Sequence, residues 1–410
     1  MATAAVVAIA LTAASGCANS SKSQPGTSGS TRPVGSQVLG TRNQAKGAPI
    51  RVGFVNEEGG SALDYTPLRK TADAAVSYIN GYLGGVGGRP IELMHCADKS
   101  SPAGGTDCAN QMVEAKVAAV LVAVTGQGSS MVPILAAAHI PYVSYQGLSL
   151  EELTNPAAFS LAGGLPSALA GIAKFASLND MKKVSLIAID VPLVSAGAQI
   201  AKAVFGKVGV NIDVKTVPPG TPDMTPQLAA VQASGADAVA VLGDPAFCTS
   251  FLQAYQTLGL SLPKFVVETC LDDSVTKSAP GALAGAHVPV TSIYEPDSRE
   301  GRLYRAVLES FAPQTKATAN NAFGYTTVLG FFNVLRGLTG DVNAASVAKA
   351  MHEATRVPLP MSGGATFTCD GSAIKALPSV CSAGVQMATA DASGVAQSPQ
   401  KIDVSGMFAF

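Results

Sequence analysis

Hydroxyl, amide and glycine residues follow two apolar runs of the sequence, in an arrangement that suits an anionic ligand. The polar segments are Thr125-Gly126-Gln127-Gly128-Ser129-Ser130, after Val117 to Val124, and Tyr145-Gln146-Gly147-Leu148-Ser149, after Pro141 to Ser144. Hydroxyls and the free amides at the start of a helix are good hydrogen-bond donors to a carboxylate. The alternative is ordinary helix capping by one of the serines, which needs no ligand.

Acidic residues occur at equivalent points later in the chain. Asp190, Asp244 and Glu268 each follow an apolar run of strand length. A carboxylate opposite a carboxylate-binding loop fits a zwitterion, because it would hold the ligand's ammonium group. Each acid could instead cap the helix that follows it.

Catalytic and cofactor-binding motifs are missing from the sequence. It has no G-x-S-x-G, no H-E-x-x-H and no phosphate loop ending in Gly-Lys-Ser/Thr, and its four histidines lie in separate units. We therefore expect no enzyme, no metal and no organic cofactor. An exported hydrolase is the alternative, and it would require a serine, a histidine and an acid to converge in one cleft.

Short apolar runs alternate with amphipathic stretches of helical length from Arg51 onward, which predicts βα units around parallel sheets. In open sheets of this kind, ligands bind beyond the carboxyl ends of the strands, where the polar segments above are found. The predicted strands are 51–55, 91–96, 117–124, 141–144, 184–189, 212–216, 238–242 and 265–267, with an extended piece at 287–294. The predicted helices are 67–80, 107–116, 130–138, 166–178, 194–207, 224–234, 247–258, 299–311 and 320–338, with one more after 342. Some 360 residues exceed what one core usually organises, so we expect an α/β protein of two lobes.

The start of the chain is typical of an exported lipoprotein. An apolar run too short to span a bilayer ends in Ala14-Ser15-Gly16-Cys17, which resembles a lipobox whose cysteine is acylated. Residues 18–50 are rich in Ser, Gly, Thr and Gln, and they predict a disordered tether. A freely secreted protein with a cleaved signal is the alternative. The net charge of −1, without a basic face, argues against a nucleic-acid partner.

Six cysteines remain after Cys17, and an even number in an exported chain suggests disulfides. Their grouping in sequence favours the local pairs Cys96–Cys108, Cys248–Cys270 and Cys369–Cys381. A metal site beside His95 is the alternative, but no C-x-x-C or H-x-x-x-H spacing supports it.

Several segments in fixed order resemble the type I periplasmic binding proteins of the leucine/isoleucine/valine family. They are Ala72 to Asn80 with its Ile-Asn ending, Gly84-Gly85, Gly88-Arg89, the Thr125-Gly126 loop, Ile140 to Ser144, Ala236 to Val239 and Leu258 to Leu260. The resemblance covers nearly all of residues 50–340. It implies two Rossmann-like lobes with central parallel sheets, joined by three crossovers, with a ligand trapped between the lobes.

The same resemblance implies roles for individual residues. Thr125 and Ser149 match the carboxylate-binding hydroxyls, with Gln146 and Gly147 beside them, and Tyr65 lies near the aromatic residue that covers the ligand. Glu268 or Thr269 falls near the acid that holds the ammonium, and Phe247 is expected to shape the side-chain pocket. The chain departs from the pattern after Asp190, where Val191-Pro192-Leu193-Val194 stands in place of the tyrosine usual in the family.

These expectations define a lipid-anchored, monomeric solute-binding protein on the extracytoplasmic face of the cell membrane, delivering a small ligand to an ABC permease. A branched-chain or other neutral amino acid is the first ligand expected, and an amide, urea or an aromatic acid is the alternative. The alternative function is that of a ligand sensor for a membrane receptor. The expected division is a signal at 1–17, a tether at 18–50, a first lobe from 51–163 and 291–340, and a second lobe from 164–290 and 341–410.

Overall fold

The structure of the protein is a computed structural model that describes residues 37–59, 65–190 and 192–409, without the side chains of 192–196. The predicted signal, Cys17 and residues 18–36 of the predicted tether lie outside the described residues. Within the described ranges, no helix is long and apolar enough to cross a membrane.

The first lobe is built on a sheet of five parallel strands: β1 (Ile50–Asn56), β2 (Ile91–Ala97), β3 (Val120–Val122), β4 (Tyr142–Ser144) and β5 (Ala158–Ser160). Their spatial order is β2-β1-β3-β4-β5. Every residue of β1 except Arg51 is buried, which is the pattern of a parallel strand covered by helices on both faces. The first-lobe helices are α1 (Thr66–Tyr78), α2 (Pro102–Glu114), α3 (Gly128–Ala137) and the one-turn α4 (Leu150–Thr154).

The second lobe contains a seven-stranded sheet. Its elements in chain order are α5 (Gly164–Leu178), β6 (Lys183–Ile189), α6 (Pro192–Lys207), β7 (Asn211–Val217), α7 (Thr225–Ala233), β8 (Ala238–Leu242), α8 (Pro245–Thr257), β9 (Lys264–Val266), a 3-10 turn (Glu268–Leu271), α9 (Asp273–Ser278) and β10 (His287–Val290). The remaining strands are β13 (Val385–Ala390) and β14 (Ala396–Ile402), and the order in the sheet is β14-β13-β10-β9-β8-β6-β7. Strands β13 and β14 are antiparallel to their neighbours, and the other five are parallel.

Between β10 and β13 the chain returns to the first lobe. This return contains α10 (Arg299–Phe311), α11 (Ala322–Leu335), α12 (Ala344–His352) and a small hairpin of β11 (Val357–Pro358) and β12 (Thr366–Phe367). The chain therefore passes between the lobes three times, near residues 161–163, 291–293 and 382–384. The expected α/β fold of two lobes with parallel sheets and three crossovers is confirmed.

The bounds of α2 differ from the prediction for a local reason. The helix begins at Pro102 and not near Asp107, because the Ser101 side chain accepts a hydrogen bond from Gly104 N at 3.1 Å and caps it. Glycines in the first turn hide the helical spacing of apolar residues there. Helix α10 and strand β8 have the predicted bounds.

The structure places residues 341–369 differently from the expected division of lobes. The buried Val347 and Met351 of α12, with Cys369 and Cys381 of the following segment, lie in the core of the first lobe. The stretch from 385 onward forms strands of the second sheet, and Ile374, Leu377 and Val380 before it pack in the same hydrophobic cluster as the second-lobe core.

Part of the predicted tether also packs against the first lobe. Asn43 N and Ala45 N donate hydrogen bonds to Gly81 O and Asn80 O, at 3.0 and 2.8 Å. Leu39 is buried in the same core, and Val38 before it packs partly buried against that core. Residues 38–46 are therefore an ordered edge of this lobe.

Candidate functional site

The first candidate loop follows β3, and its donors are bonded to carboxylates of the protein itself. Gly126 N donates to Glu57 Oε2 at 3.2 Å, and Glu57 is only 5% exposed at the end of β1. The completely buried Thr125 donates its hydroxyl to Asp98 Oδ2 at 2.6 Å and accepts from Gln127 N at 3.0 Å. The hydroxyl and the amide predicted to receive a ligand carboxylate are thus both occupied.

Burial dominates the ionisation of these two acids. It raises the pKa of Glu57 above its ordinary value, and the hydrogen bond from Gly126 opposes the rise. Burial likewise raises the pKa of Asp98, against the hydrogen bond from Thr125. The loop therefore holds two carboxylates whose negative charge is costly, and a further anion beside them would add to that cost.

The second candidate loop, after β4, shows the same arrangement. Glu152 Oε2 accepts from Leu148 N at 2.8 Å and from the Ser149 hydroxyl at 3.1 Å, while Oε1 accepts from the Tyr142 hydroxyl at 2.6 Å. Ser149 also caps α4 by accepting from Glu152 N. Gly147 is buried, and it is packed so closely that a β-carbon there would collide with Glu152 and Ser160. Burial raises the pKa of Glu152 to about 7, although all of these hydrogen bonds lower it.

Tyr65 is close enough to acidic residues of both lobes for their negative charges to act on its hydroxyl group. Its pKa is raised to about 12, first by burial and then by the negative charges of Glu57, Asp272 and Asp244. Glu57 belongs to the first lobe, whereas the two aspartates follow strands of the second. The loops at the strand ends of the two lobes therefore converge around Tyr65.

The predicted second-lobe residues are distributed between the surface and the core. Asp190 is exposed after β6, and Asp244 is exposed at the start of α8, where it accepts from Phe247 N at 2.8 Å. Asp244 thus performs the capping that was the alternative to a ligand role. Phe247 itself is buried in the core of the second lobe, and its contribution to a ligand pocket stays a prediction.

Glu268 is directed at the crossover between the lobes. Its Oε1 accepts from Thr291 N at 3.1 Å and from Ser292 N at 3.4 Å. On the other side of Thr291, the buried Tyr145 hydroxyl donates to Thr291 Oγ1 at 2.9 Å. Burial raises the pKa of Glu268 to about 7, against these hydrogen bonds. The acid expected to hold a ligand's ammonium is therefore already the acceptor of two backbone amides.

Tyr145 and the crossover connect the predicted ligand loop to the hinge region. The Tyr145 ring stacks on Phe323 of α11, with 4.4 Å between ring centroids. Gln146, the next residue, is partly exposed beside Gly147. Tyr145 contacts both Phe323 and Thr291, so the position of the loop that contains Gln146 depends on the position of the crossover.

Two disulfides anchor the strand-end loops. Cys96–Cys108 ties the end of β2 to α2, next to Asp98, and Cys248–Cys270 ties α8 to the turn that contains Glu268. The third, Cys369–Cys381, closes the segment before β13. All three predicted pairings are confirmed. In the part of the chain that the structure describes, no group of three His, Cys, Asp or Glu side chains could hold a metal ion.

Asp98, Glu152 and Thr291 were not among the residues predicted for the site. Asp98 follows directly on β2, so the strand-end rule would have found it if applied to that strand. Ser149-x-x-Glu152 has the spacing of a capping box, which signals a glutamate turned back toward the loop. No sequence signal identifies Thr291.

Two cavities lie beside the crossovers. One of about 450 Å³ is lined by Thr291, Ser362 and Gln386, among others. The other, of about 420 Å³, is lined by Ser292, Ile293 and further residues of both lobes. Most of their polar lining is already hydrogen-bonded within the protein, as in the bond from Gln386 Nε2 to Ser362 O at 3.0 Å.

Comparison with known proteins agrees with this architecture. A family model described as a periplasmic binding protein matches residues 49–384. No curated protein sequence matches the chain. Among solved structures, an ABC transporter substrate-binding protein from Sphaerobacter thermophilus is similar with a TM-score of 0.72 and 19% identity, over 87% of this chain and 97% of that one.

Two further structures contain ligands. The branched-chain amino acid transporter substrate-binding protein LivJ from Streptococcus pneumoniae, in complex with isoleucine, has a TM-score of 0.70 and 18% identity, over 86% of this chain and 99% of that one. A solute-binding protein from R. palustris in complex with 4-hydroxybenzoate has a TM-score of 0.72 and 16% identity, over 88% of this chain and 100% of that one. At such identities the likeness shows the fold, and the family model shows the family. The chain belongs to the periplasmic binding proteins of type I fold, a family of solute-binding proteins and not of enzymes.

Proposed function

We propose that this protein captures a small polar solute between its two lobes and delivers it to the permease of an ABC transporter. The observation that carries the proposal is the environment of Tyr65, whose main-chain amide donates to Glu57 O of one lobe at 2.8 Å and whose hydroxyl lies within the electrostatic influence of Asp244 and Asp272 of the other. A solute placed there contacts both lobes, so its binding favours the closed arrangement of the two.

Among the ligand classes expected from the sequence, the hydrogen bonds favour an amide over an amino acid. A zwitterion needs free donors for its carboxylate, and Gly126 N and Leu148 N already donate to Glu57 and Glu152. The ligands of related proteins, isoleucine and 4-hydroxybenzoate, both contain a carboxyl group. This chain differs from a carboxylate binder in the place where such a group would be held.

A thermal-shift screen of the full-length protein against amino acids, carboxamides, urea and small carboxylates tests the proposal. A ligand at a hundredfold its Kd stabilises the folded state by about 2.7 kcal/mol, which raises the Tm measurably. The Tyr65→Ala variant should lose that shift. Tyr82→Ala is the matched control, since Tyr82 packs against Tyr78 and Phe311 within the first lobe. No shift with any compound would contradict the proposal.

We also propose that Cys17 carries the lipid that holds the protein at the extracytoplasmic face of the membrane, and that the protein acts as a monomer. The lipobox-like Ala14-Ser15-Gly16-Cys17 supports the anchor. Two acyl signals give stable retention where one gives only reversible binding. Detergent-phase partition of the wild type against Cys17→Ser tests it, and equal partition of the two would refute it. Light scattering at increasing concentration tests the monomer.

A further inference from the structure

The loop after β3 uses an internal carboxylate where a ligand's carboxylate would bind. Gly126 is an exposed residue at a strand end, where backbone amides receive anions in open α/β sheets. In this chain it donates to Glu57 Oε2 at 3.2 Å. The glutamate is held there from the end of β1, and its own main chain accepts a hydrogen bond from Tyr65 N at 2.8 Å.

Two neighbouring donors are bonded to internal acids in the same way. The Thr125 hydroxyl donates to Asp98, and the Leu148 amide donates to Glu152. A ligand carboxylate that bound any of these three donors would have to displace the acid already there and then lie within a few ångströms of it. Like charges about 4 Å apart in a partly buried site weaken binding by a factor on the order of a hundred to a thousand.

We propose that Glu57 is a specificity-determining residue that excludes carboxylates from the cleft and selects an uncharged ligand with N–H or O–H donors, such as a carboxamide. This inference rests on the proposed capture of a solute around Tyr65. A carboxamide has the shape of a carboxylate without the charge, and its N–H groups suit a site whose side chains are acceptors. Replacement of Glu57 by glutamine keeps an oxygen for Gly126 N and removes the charge.

Matched pairs of probes test this role: isovalerate with isovaleramide, leucine with leucinamide, and 4-hydroxybenzoate with 4-hydroxybenzamide. Binding to the full-length wild type and to Glu57→Gln is measured by calorimetry at pH 8. The wild type should prefer the amide of at least one pair by about tenfold or more, and Glu57→Gln should reduce that preference by about tenfold. The Tm of each protein without ligand verifies folding.

Glu58→Gln is the control, because it removes the same charge at the next position. The Glu58 carboxylate binds Arg69 at 2.7 Å and does not contact Gly126. It should leave the preference unchanged. A wild type that binds the carboxylates as tightly as the amides, or a preference that Glu57→Gln does not alter, would overturn the role of Glu57 and leave solute capture intact. Binding of no probe to any of the three proteins would contradict solute capture itself, and with it this inference.

Discussion

Glu152 makes the stability of this protein depend on pH, and glutamine at this position should remove that dependence. The carboxyl group has an ordinary pKa of 4.5 and a pKa of about 7 in the folded protein, because burial penalises its charge. A carboxyl whose pKa is raised on folding binds its proton more tightly in the folded state. It therefore contributes stability that is fully present below pH 4.5 and is lost as the pH rises through 7.

The magnitude follows from the two pKa values. Between pH 5 and pH 8 the contribution changes by about 2.5 kcal/mol, since each unit of pKa corresponds to 1.36 kcal/mol and most of the shift is titrated in this interval. If about 370 residues unfold together with an entropy near 2.1 cal/mol/K per residue, the Tm falls by roughly 3 °C from this group alone. Glu268, with the same direction and a pKa of about 7, adds a similar decrease.

The assay is thermal unfolding of wild type and Glu152→Gln at half-unit steps from pH 5 to pH 8. The Tm of the variant should decrease less between pH 5 and 8, by about 3 °C, because glutamine does not titrate in this range. Glu151→Gln, one residue earlier in α4, removes the same charge as a control. An equal slope in wild type and Glu152→Gln would refute the reasoning.

Two further substitutions test other hydrogen bonds of the site. Thr125→Val removes the donor to the buried Asp98 and should lower the free energy of unfolding by about 1.5–3 kcal/mol in a denaturant titration, because a charged acceptor loses its partner; unchanged stability would contradict that role. Tyr145→Phe breaks the bond to Thr291 and should alter the Tm shift caused by whichever compound the screen identifies. Tyr255→Phe is the control, because it loses a hydrogen bond to a main-chain carbonyl within the second lobe. Each of the two tyrosine substitutions should lower the free energy of unfolding by about 0.5–1.5 kcal/mol, but Tyr255→Phe should leave the ligand-induced Tm shift unaltered.

The sequence was sufficient to predict the elements of the fold where the apolar spacing extends over several turns. Two short first-lobe elements, α4 and β5, escaped prediction because five and three residues are too few to show a period. The return of residues 341–369 to the first lobe also escaped prediction, since it depends on which core receives Val347 and Met351. That choice is made by contacts distant in the chain, which periodicity does not encode.

The site was predictable in position and not in hydrogen bonding. Strand ends located the loops of Thr125 and Ser149, and hydroxyl and amide chemistry then predicted free donors for an anion. The structure shows those donors bonded to Asp98, Glu57 and Glu152, which approach from two other strand ends and from a helix. Residue types alone do not distinguish a free donor from an occupied one, because the difference is a matter of a few ångströms between segments far apart in sequence.

The bond between Tyr145 and Thr291 suggests how capture of a solute affects the relation of the lobes. Tyr145 belongs to the first lobe, Thr291 to a crossover, and Glu268, which accepts from Thr291 N, to the second lobe. The bonds from Tyr145 to Thr291 and from Thr291 to Glu268 connect the first lobe, a crossover and the second lobe. Rotation of the lobes about the crossovers therefore has to change this chain of hydrogen bonds. Because Tyr145 directly precedes Gln146 and Gly147, displacement of that loop by a solute acts on the same chain. Ligand contact and hinge geometry therefore share one short segment, and a substitution there should change both the affinity and the preferred arrangement of the lobes.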